Sequence, residues 1–443
     1  MTIHRRPAAV GAPAYRGYWW EDPARLGLIF ILPLYGLLSI SLLGNQRAIE
    51  RVYFDTFYAF TGALFLVTMM AAAALVGGAT PDSRNAPVAL PRRVLDVVFA
   101  LAFAGYLVMM IGVLAHPALL VAFIRGTVSA FDLLELKGRI VGLSTLTQAT
   151  AAYVALYYYV FRQRERGFNR YKLYLVVLAL LTLLRSFIFA ERLAVVEMVL
   201  PLALMVVRFR LWPRRPALLA IGPFAAIPLL IGFFIASEYS RSWETYYVHM
   251  YDNILDFALE RLGLYYSTAL NNGAGIVSVL GWGSGHPMFT FDWLIRFPVI
   301  GSLFQPMLDS SVGIDAFLTN YADPEFNNPS GIFVHFFEWG WFGLLVAALI
   351  GWILGKGYAG WCAGNGFWCC AHAVLYVSLL EILRIPNMFS GRNFVPLMLL
   401  FVVFRCFSVQ SILVGPFAGA VGRYGSACVA RMRMGVRSGP ARD

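Results

Sequence analysis

The stretch Leu184-Arg185-Ser186-Phe187-Ile188-Phe189-Ala190-Glu191-Arg192-Leu193-Ala194-Val195-Val196-Glu197 sets four charges within or beside strongly apolar runs. An ionised side chain near a bilayer centre costs about 2.5 to 3.5 kcal/mol on insertion scales, so such residues normally face water or a partner. Arginine is a permanently charged, bidentate donor suited to phosphate oxygens. If the stretch is helical, Arg185 and Arg192 share a face and could fork around a diphosphate. Alternatively, Arg185 pairs with Glu191, or Arg192 with Glu197, and the charges only hold a hairpin together. His335 and Glu338 stand at i, i+3, either as a base with its orienting carboxylate or as a structural pair. Glu381, Arg384, Asn387, Arg392 and Asn393 gather in what reads as the last outward turn.

The elements that must position these groups are membrane helices. Of 443 residues, 59% are apolar, 15% aromatic and only 13% charged, which describes an all-α polytopic membrane protein and excludes an ordinary soluble domain. Apolar runs able to cross a hydrocarbon core of about 30 Å fall near 26–43, 56–77, 94–115, 141–161 and 173–190, then near 193–207, 217–236, 331–354, 367–383 and 394–413. That gives about ten transmembrane helices, 193–207 being the shortest. Residues 1–25 form an N-terminal segment, 26–236 hold spans 1–7, 237–330 form one large loop, 331–413 hold spans 8–10, and 414–443 form an Arg- and Gly-rich tail. The first run shows no small-x-small cleavage pattern and is expected to be retained.

Retained loops are enriched in Lys and Arg. The clusters Arg162, Arg164, Arg166, Arg170, Lys172 and Arg208, Arg210, Arg214, Arg215 therefore predict cytoplasmic ends, and the loop from Ser237 to Ser330 then faces the periplasm or exterior. That loop carries ten acidic residues against Arg241, Arg261 and Arg296. The net charge of +11 thus reads as a topology signal rather than a nucleic-acid surface, since no basic groove or stacking platform accompanies it. The five cysteines lie in or near the last spans and the tail, with spacing that suggests neither a disulfide framework nor a metal site. No cofactor is expected. No internal repeat or inverted halves are evident, which disfavours a transporter or flippase.

Within the loop, 242–271 reads as one or two amphipathic helices, and Asn271-Asn272-Gly273 through Asn327-Asn328-Pro329-Ser330-Gly331 reads as turn chemistry. The aromatic rings suit an interfacial belt, or they suit sugar faces, with acids, Asn and Arg for the hydroxyls.

Taken together, the layout resembles the integral-membrane oligosaccharide repeat-unit polymerases of the Wzy type, acting on O-antigen or exopolysaccharide. The resemblance rests on the span count, the large loop in the second half, the Arg-x5-Glu-Arg-Leu-Ala-x2-Glu stretch at Arg185 to Glu197, and Glu-x-Gly-x2-Gly at Glu338 to Gly343. The related O-antigen ligases carry a His-Asn pair ahead of the Glu-x-Gly, where this chain has Pro329-Ser330. The resemblance implies a metal-independent glycosyltransferase of the bacterial inner membrane that joins undecaprenyl-diphosphate-linked oligosaccharide units. Its pathway partners would be a flippase and a chain-length regulator, within membrane lipid. On this reading Arg185, Arg192 and also Arg384 or Arg392 clamp the diphosphate, and Glu191, Glu197 or Glu338 is the base, with His335 in reserve. Arg241, Arg261, Tyr265, Tyr266, Asn271, Asn272, Trp282 and Asn328 would complete the substrate surface.

Overall fold

The computed structural model describes residues 15, 17–44, 49, 51–78, 90–125, 128, 133, 136–138, 140, 142–161, 169–189, 191–209, 219–239, 243, 247–297, 301–323 and 326–406. Arg241, Glu325, Arg162, Arg164, Arg166, Arg210, Arg214, Arg215, Cys428 and the 414–443 tail lie outside them. Among the described residues the chain is helical and contains no strand.

Helix α1 is Pro23–Gly44, α2 Thr56–Gly77, α3 Arg93–Ala115, α4 Pro117–Ile124, α5 Ala149–Phe161, α6 Arg170–Ile188 and α7 Arg192–Arg208. There follow α8 Gly222–Glu238, α9 Ile254–Leu280, α10 Gln305–Asn320, α11 Phe333–Trp339, α12 Gly343–Ala363, α13 Gly366–Leu380 and α14 at 391–406. Among the described residues, five segments are long and apolar enough to cross a membrane: α1, α2, α3, α6 and the joined run Phe333–Ala363. The other five expected spans each contain a helix at its place: α5, α8 and α13 are shorter than expected, α7 slightly exceeds its expected range, and α14 is described only as far as residue 406. Thr147 and Gln148 lie in a 3-10 turn ahead of α5, and Pro201 lies within α7. Leu37, Ile40 and Leu75 remain 68%, 70% and 81% exposed on long apolar helices, as lipid-facing side chains would.

Local starts are written into the sequence. Asp22, Asp55, Asn169 and Asn253 each accept a hydrogen bond from a first-turn amide of α1, α2, α6 and α9. Small residues then bring the backbones together. A Cβ on Gly351 would collide with the carbonyl of Met69, and one on Gly355 would come within 2.6 Å of the Ala73 carbonyl, so α12 lies directly against α2.

The large loop departs from expectation. Asn271-Asn272-Gly273 does not form a turn; it lies inside the 27-residue helix α9, and α10 adds a second helix where irregular chain was expected. The two asparagines spend their side chains on tertiary contacts instead. Asn271 accepts from the amides of Tyr53 (2.7 Å) and Phe54 (3.1 Å) and donates to the Arg51 carbonyl, while Asn272 donates to the carbonyls of Phe326 and Asn328. Gly273 leaves the gap that Ser330 and Phe333 fill.

At the opposite end, Tyr15 and residues 17–22 strap the bundle. The Trp19 and Trp20 indoles donate to the carbonyls of Ala220 (2.8 Å) and Leu219 (2.7 Å), and Tyr376 donates to the Trp20 carbonyl. Glu21 is fully buried, accepting from the Tyr15 hydroxyl at 2.9 Å and the Tyr18 amide at 2.8 Å. Burial pushes its carboxyl up to about 7 in spite of these donors and nearby Arg208. The unfolded chain therefore ionises Glu21 from about pH 4.5 while the folded chain does so only near 7, so this group's stabilising contribution is complete below pH 4.5 and is lost as pH rises through 7. Glu21→Gln should raise the melting temperature at pH 8 and flatten its decline between pH 5 and about 8; a melting curve as steep as the wild type's would show that Glu21 is not the group responsible.

Candidate functional site

The charges nominated from the sequence lie at the end of the bundle away from Glu21, but not as a single fork. The stretch is not one helix. It breaks after Ile188 and restarts at Arg192, so Arg185 closes α6, Arg192 opens α7, and the two guanidinium groups serve separate networks.

Arg185, 3% exposed, donates from Nε to Glu191 at 2.8 Å and from a terminal nitrogen to Thr147 Oγ1 at 2.9 Å. Lys137 also reaches Glu191, and Arg392 stands 3.7 Å from it. Arg392 donates to both oxygens of Glu197, at 3.1 and 3.2 Å. Of the two hairpin pairings weighed above, Arg185 with Glu191 forms, whereas Glu197 turns to α14 rather than to Arg192. Burial alone would raise the Glu191 carboxyl, but Arg185, Lys137 and Arg392 outweigh it and hold the group at about 2. Below this network, Tyr106, Thr147, Gln148, Arg185 and Glu197 edge a polar cavity of about 10 Å³, room for roughly one water.

In the second network, Arg192 donates to Glu238 and, at 3.0 Å, to the Tyr265 hydroxyl, and it lies 4.6 Å from the Phe234 ring centre. Glu238 is fully buried and also pairs with Arg261, whose Nε is 3.0 Å away. Arg261 in turn packs over Tyr247 and Phe326. Tyr265 links onward to Arg384, 5.8 Å from its ring centre, and Arg384 donates to Glu381 at 2.6 Å, with Tyr266 in the field of both. Six cations thus stand among four carboxylates.

His335 and Glu338 belong to a different construction. The run Phe333–Ala363 is interrupted where Gly340 adopts φ +57°, which frees the carbonyls of the preceding turn. The amides of Gly283, Ser284 and Gly285 donate to the carbonyls of Phe336, Phe337 and Glu338 at 3.2, 2.6 and 3.0 Å. The Glu338 side chain completes the clamp, accepting from the amides of Phe289 and Thr290 and from Thr290 Oγ1 (2.5 Å). His335 Nδ1 lies 3.5 Å from Glu338, its ring stacked on Phe65. Trp282 stacks on Phe336, over the break and away from the arginines. Non-helical backbone at membrane depth survives only where protein satisfies it. The Glu-x-Gly-x2-Gly pattern is accounted for by this break: Glu338 as clamp, Gly340 for its positive φ, and Gly343 for its approach to the His335 carbonyl.

Lys137, Thr147, Glu238 and Thr290 were not singled out from the sequence. Glu238 carried a usable signal, an acid at the end of an apolar run; Lys137 and Thr290 carried none that spacing reveals. Among the described residues no group of three His, Cys, Asp or Glu side chains could hold a metal ion. The chain matches no family model, no curated protein and no solved structure.

Glu338→Ala removes an acceptor from two buried amides, each costing about 1–3 kcal/mol when stranded, so this variant should melt several degrees below wild type; an unchanged melting temperature would mean that other groups hold the 289–290 segment. The lowered Glu191 carboxyl stabilises the fold above its unfolded value of about 4.5 and loses that contribution as pH falls through about 2. Glu191→Gln should therefore blunt acid unfolding over that interval, as read by intrinsic fluorescence against pH.

Proposed function

We propose that this protein is a membrane glycosyltransferase that polymerises undecaprenyl-diphosphate-linked oligosaccharide units, with ten spans, both termini cytoplasmic and the arginine-rich end on the periplasmic side of a bacterial inner membrane. The observation that carries this reading is the convergence of guanidinium groups at that end. Arg185, Arg192, Arg261, Arg384 and Arg392, from five different elements of the chain, gather there around Glu191, Glu197, Glu238 and Glu381. Guanidinium groups gathered in this way suit the oxygens of a diphosphate. Tyr265 and Tyr266, set among these groups, offer ring faces to a sugar.

In the proposed reaction, the hydroxyl oxygen of the incoming unit attacks the anomeric carbon of the chain-bearing unit. The bond from that carbon to the diphosphate oxygen breaks, and the leaving lipid diphosphate keeps the electron pair. The arginines stabilise the charge that develops there. The hydroxyl proton passes to a carboxylate. Of the three sequence candidates, Glu191 is held too acidic to accept it, and Glu197 alone borders the small cavity, so we assign the role to Glu197, whose oxygens also accept from Arg392.

Reconstitution with a synthetic lipid-diphosphate oligosaccharide, products resolved by size, tests the reading. Wild type should give a ladder, and Arg192→Ala at equal expression should slow it by about 10²-fold, the loss typical of one charge-stabilising donor. A single transfer product would point instead to a ligase. No product from several different repeat units would defeat the glycosyltransferase reading.

A further inference from the structure

The helix that carries Glu238 is held differently from its neighbours. Along α8, Phe234 and Glu238 are the only described residues that are buried, while Ile221, Phe224, Leu229 and Leu230 are half or more exposed. Among the described residues, its polar and aromatic contacts sit at its two ends. At one, Trp19 and Trp20 hold the carbonyls of Ala220 and Leu219, and the Trp19 ring meets Phe224. At the other, Glu238 pairs with Arg192 and Arg261, and Phe234 packs edge-on against Tyr265. Between them, Pro228 removes a backbone donor, and a Cβ on Gly232 would meet nothing within 4 Å. A helix held at both ends with a proline between them is weakest at the proline, where one backbone hydrogen bond is missing.

The outer attachment is also the one that an anionic ligand would contest. Glu238 presents to Arg192 and Arg261 the same kind of oxygen pair that a phosphate presents, with less charge and fewer acceptors. Two guanidinium groups that exchange one anion for the other keep their partners. The displaced carboxylate, left in place, would be a buried charge deprived of both guanidinium groups, a costly state. It is relieved if the end of α8 swings out and carries Glu238 to water.

We infer that Glu238 is a displaceable stand-in for the ligand's phosphate and that α8 is a side gate, hinged near Pro228, which opens toward the membrane when a lipid diphosphate takes Arg192 and Arg261. The inference rests on the reading of these arginines as a diphosphate seat, and it assigns that seat a lateral route by which a ligand with a long apolar tail arrives from the bilayer. The inner tether through Trp19 and Trp20 is the fixed end of the gate.

The test uses full-length protein in nanodiscs, with spin labels at Gly232→Cys on α8 and Leu259→Cys on α9, Cys406→Ser and Cys428→Ser to limit background, and protein lacking the two new cysteines as the control. Farnesyl diphosphate should add a second, longer inter-label distance, and farnesol should not. Glu238→Gln should populate that longer distance without ligand, whereas Glu238→Asp should stay closed; both must match wild type in size-exclusion profile and melting temperature to be scored, and if Glu238→Gln fails this, the response of the wild-type background to farnesyl diphosphate decides. An unchanged distance in Glu238→Gln, in a preparation that still binds farnesyl diphosphate, overturns the gate alone. Opening in Glu238→Gln together with no binding of farnesyl diphosphate overturns the assignment of the ligand, and the proposed function with it.

Discussion

Charge in a low-dielectric setting has to be matched locally, and the upper end of this bundle is organised around that requirement. Two guanidinium groups enter from a single hairpin, and Arg192, Arg261 and Arg392 each find their acid on a different helix. Arg185 and Arg392 meet at Glu191 and Glu197, and Arg192 and Arg261 meet at Glu238. Breaking one of these pairs leaves a charge short of a partner in a poorly solvated setting, which is why buried ion pairs cost far more to break than they contribute to stability. The bundle is consequently cross-braced by electrostatics at one end and by indole-to-carbonyl bonds and a buried carboxyl at the other, with close glycine contacts between.

The same constraint explains what the sequence disclosed. Helix class, the positions of the long apolar helices and the clustering of charge around Arg185, Glu191, Arg192 and Glu197 were legible because hydropathy and misplaced charge are properties of a few adjacent residues. The partners were not. Nothing local says that Glu197 belongs to Arg392 some two hundred positions on, or that Asn271 will leave its apparent turn to clasp residues 51–54. Asn-Gly is a turn signal only where the backbone is free to turn; inside α9 the side chains find buried amides and carbonyls that reward them more.

Motif and role also separate here. Glu338 and Gly340, read as a signature, are consumed by the geometry of an interrupted helix, whereas Glu238, which belongs to no motif, sits between two arginines. A residue's identity in a loose pattern says what it can do; which hydrogen-bond partners remain available to it says what it does.

The interrupted helix has one more consequence, for biogenesis. The amides of Gly283 to Gly285, which satisfy the carbonyls of residues 336–338, precede that helix in the chain. They have therefore already been synthesised when the broken segment reaches the membrane. Insertion of Phe333–Ala363 as an isolated hydrophobic rod would bury unsatisfied carbonyls in lipid. The segment is thus committed to partition as a paired unit with the stretch synthesised before it, and translation order supplies the cap in time.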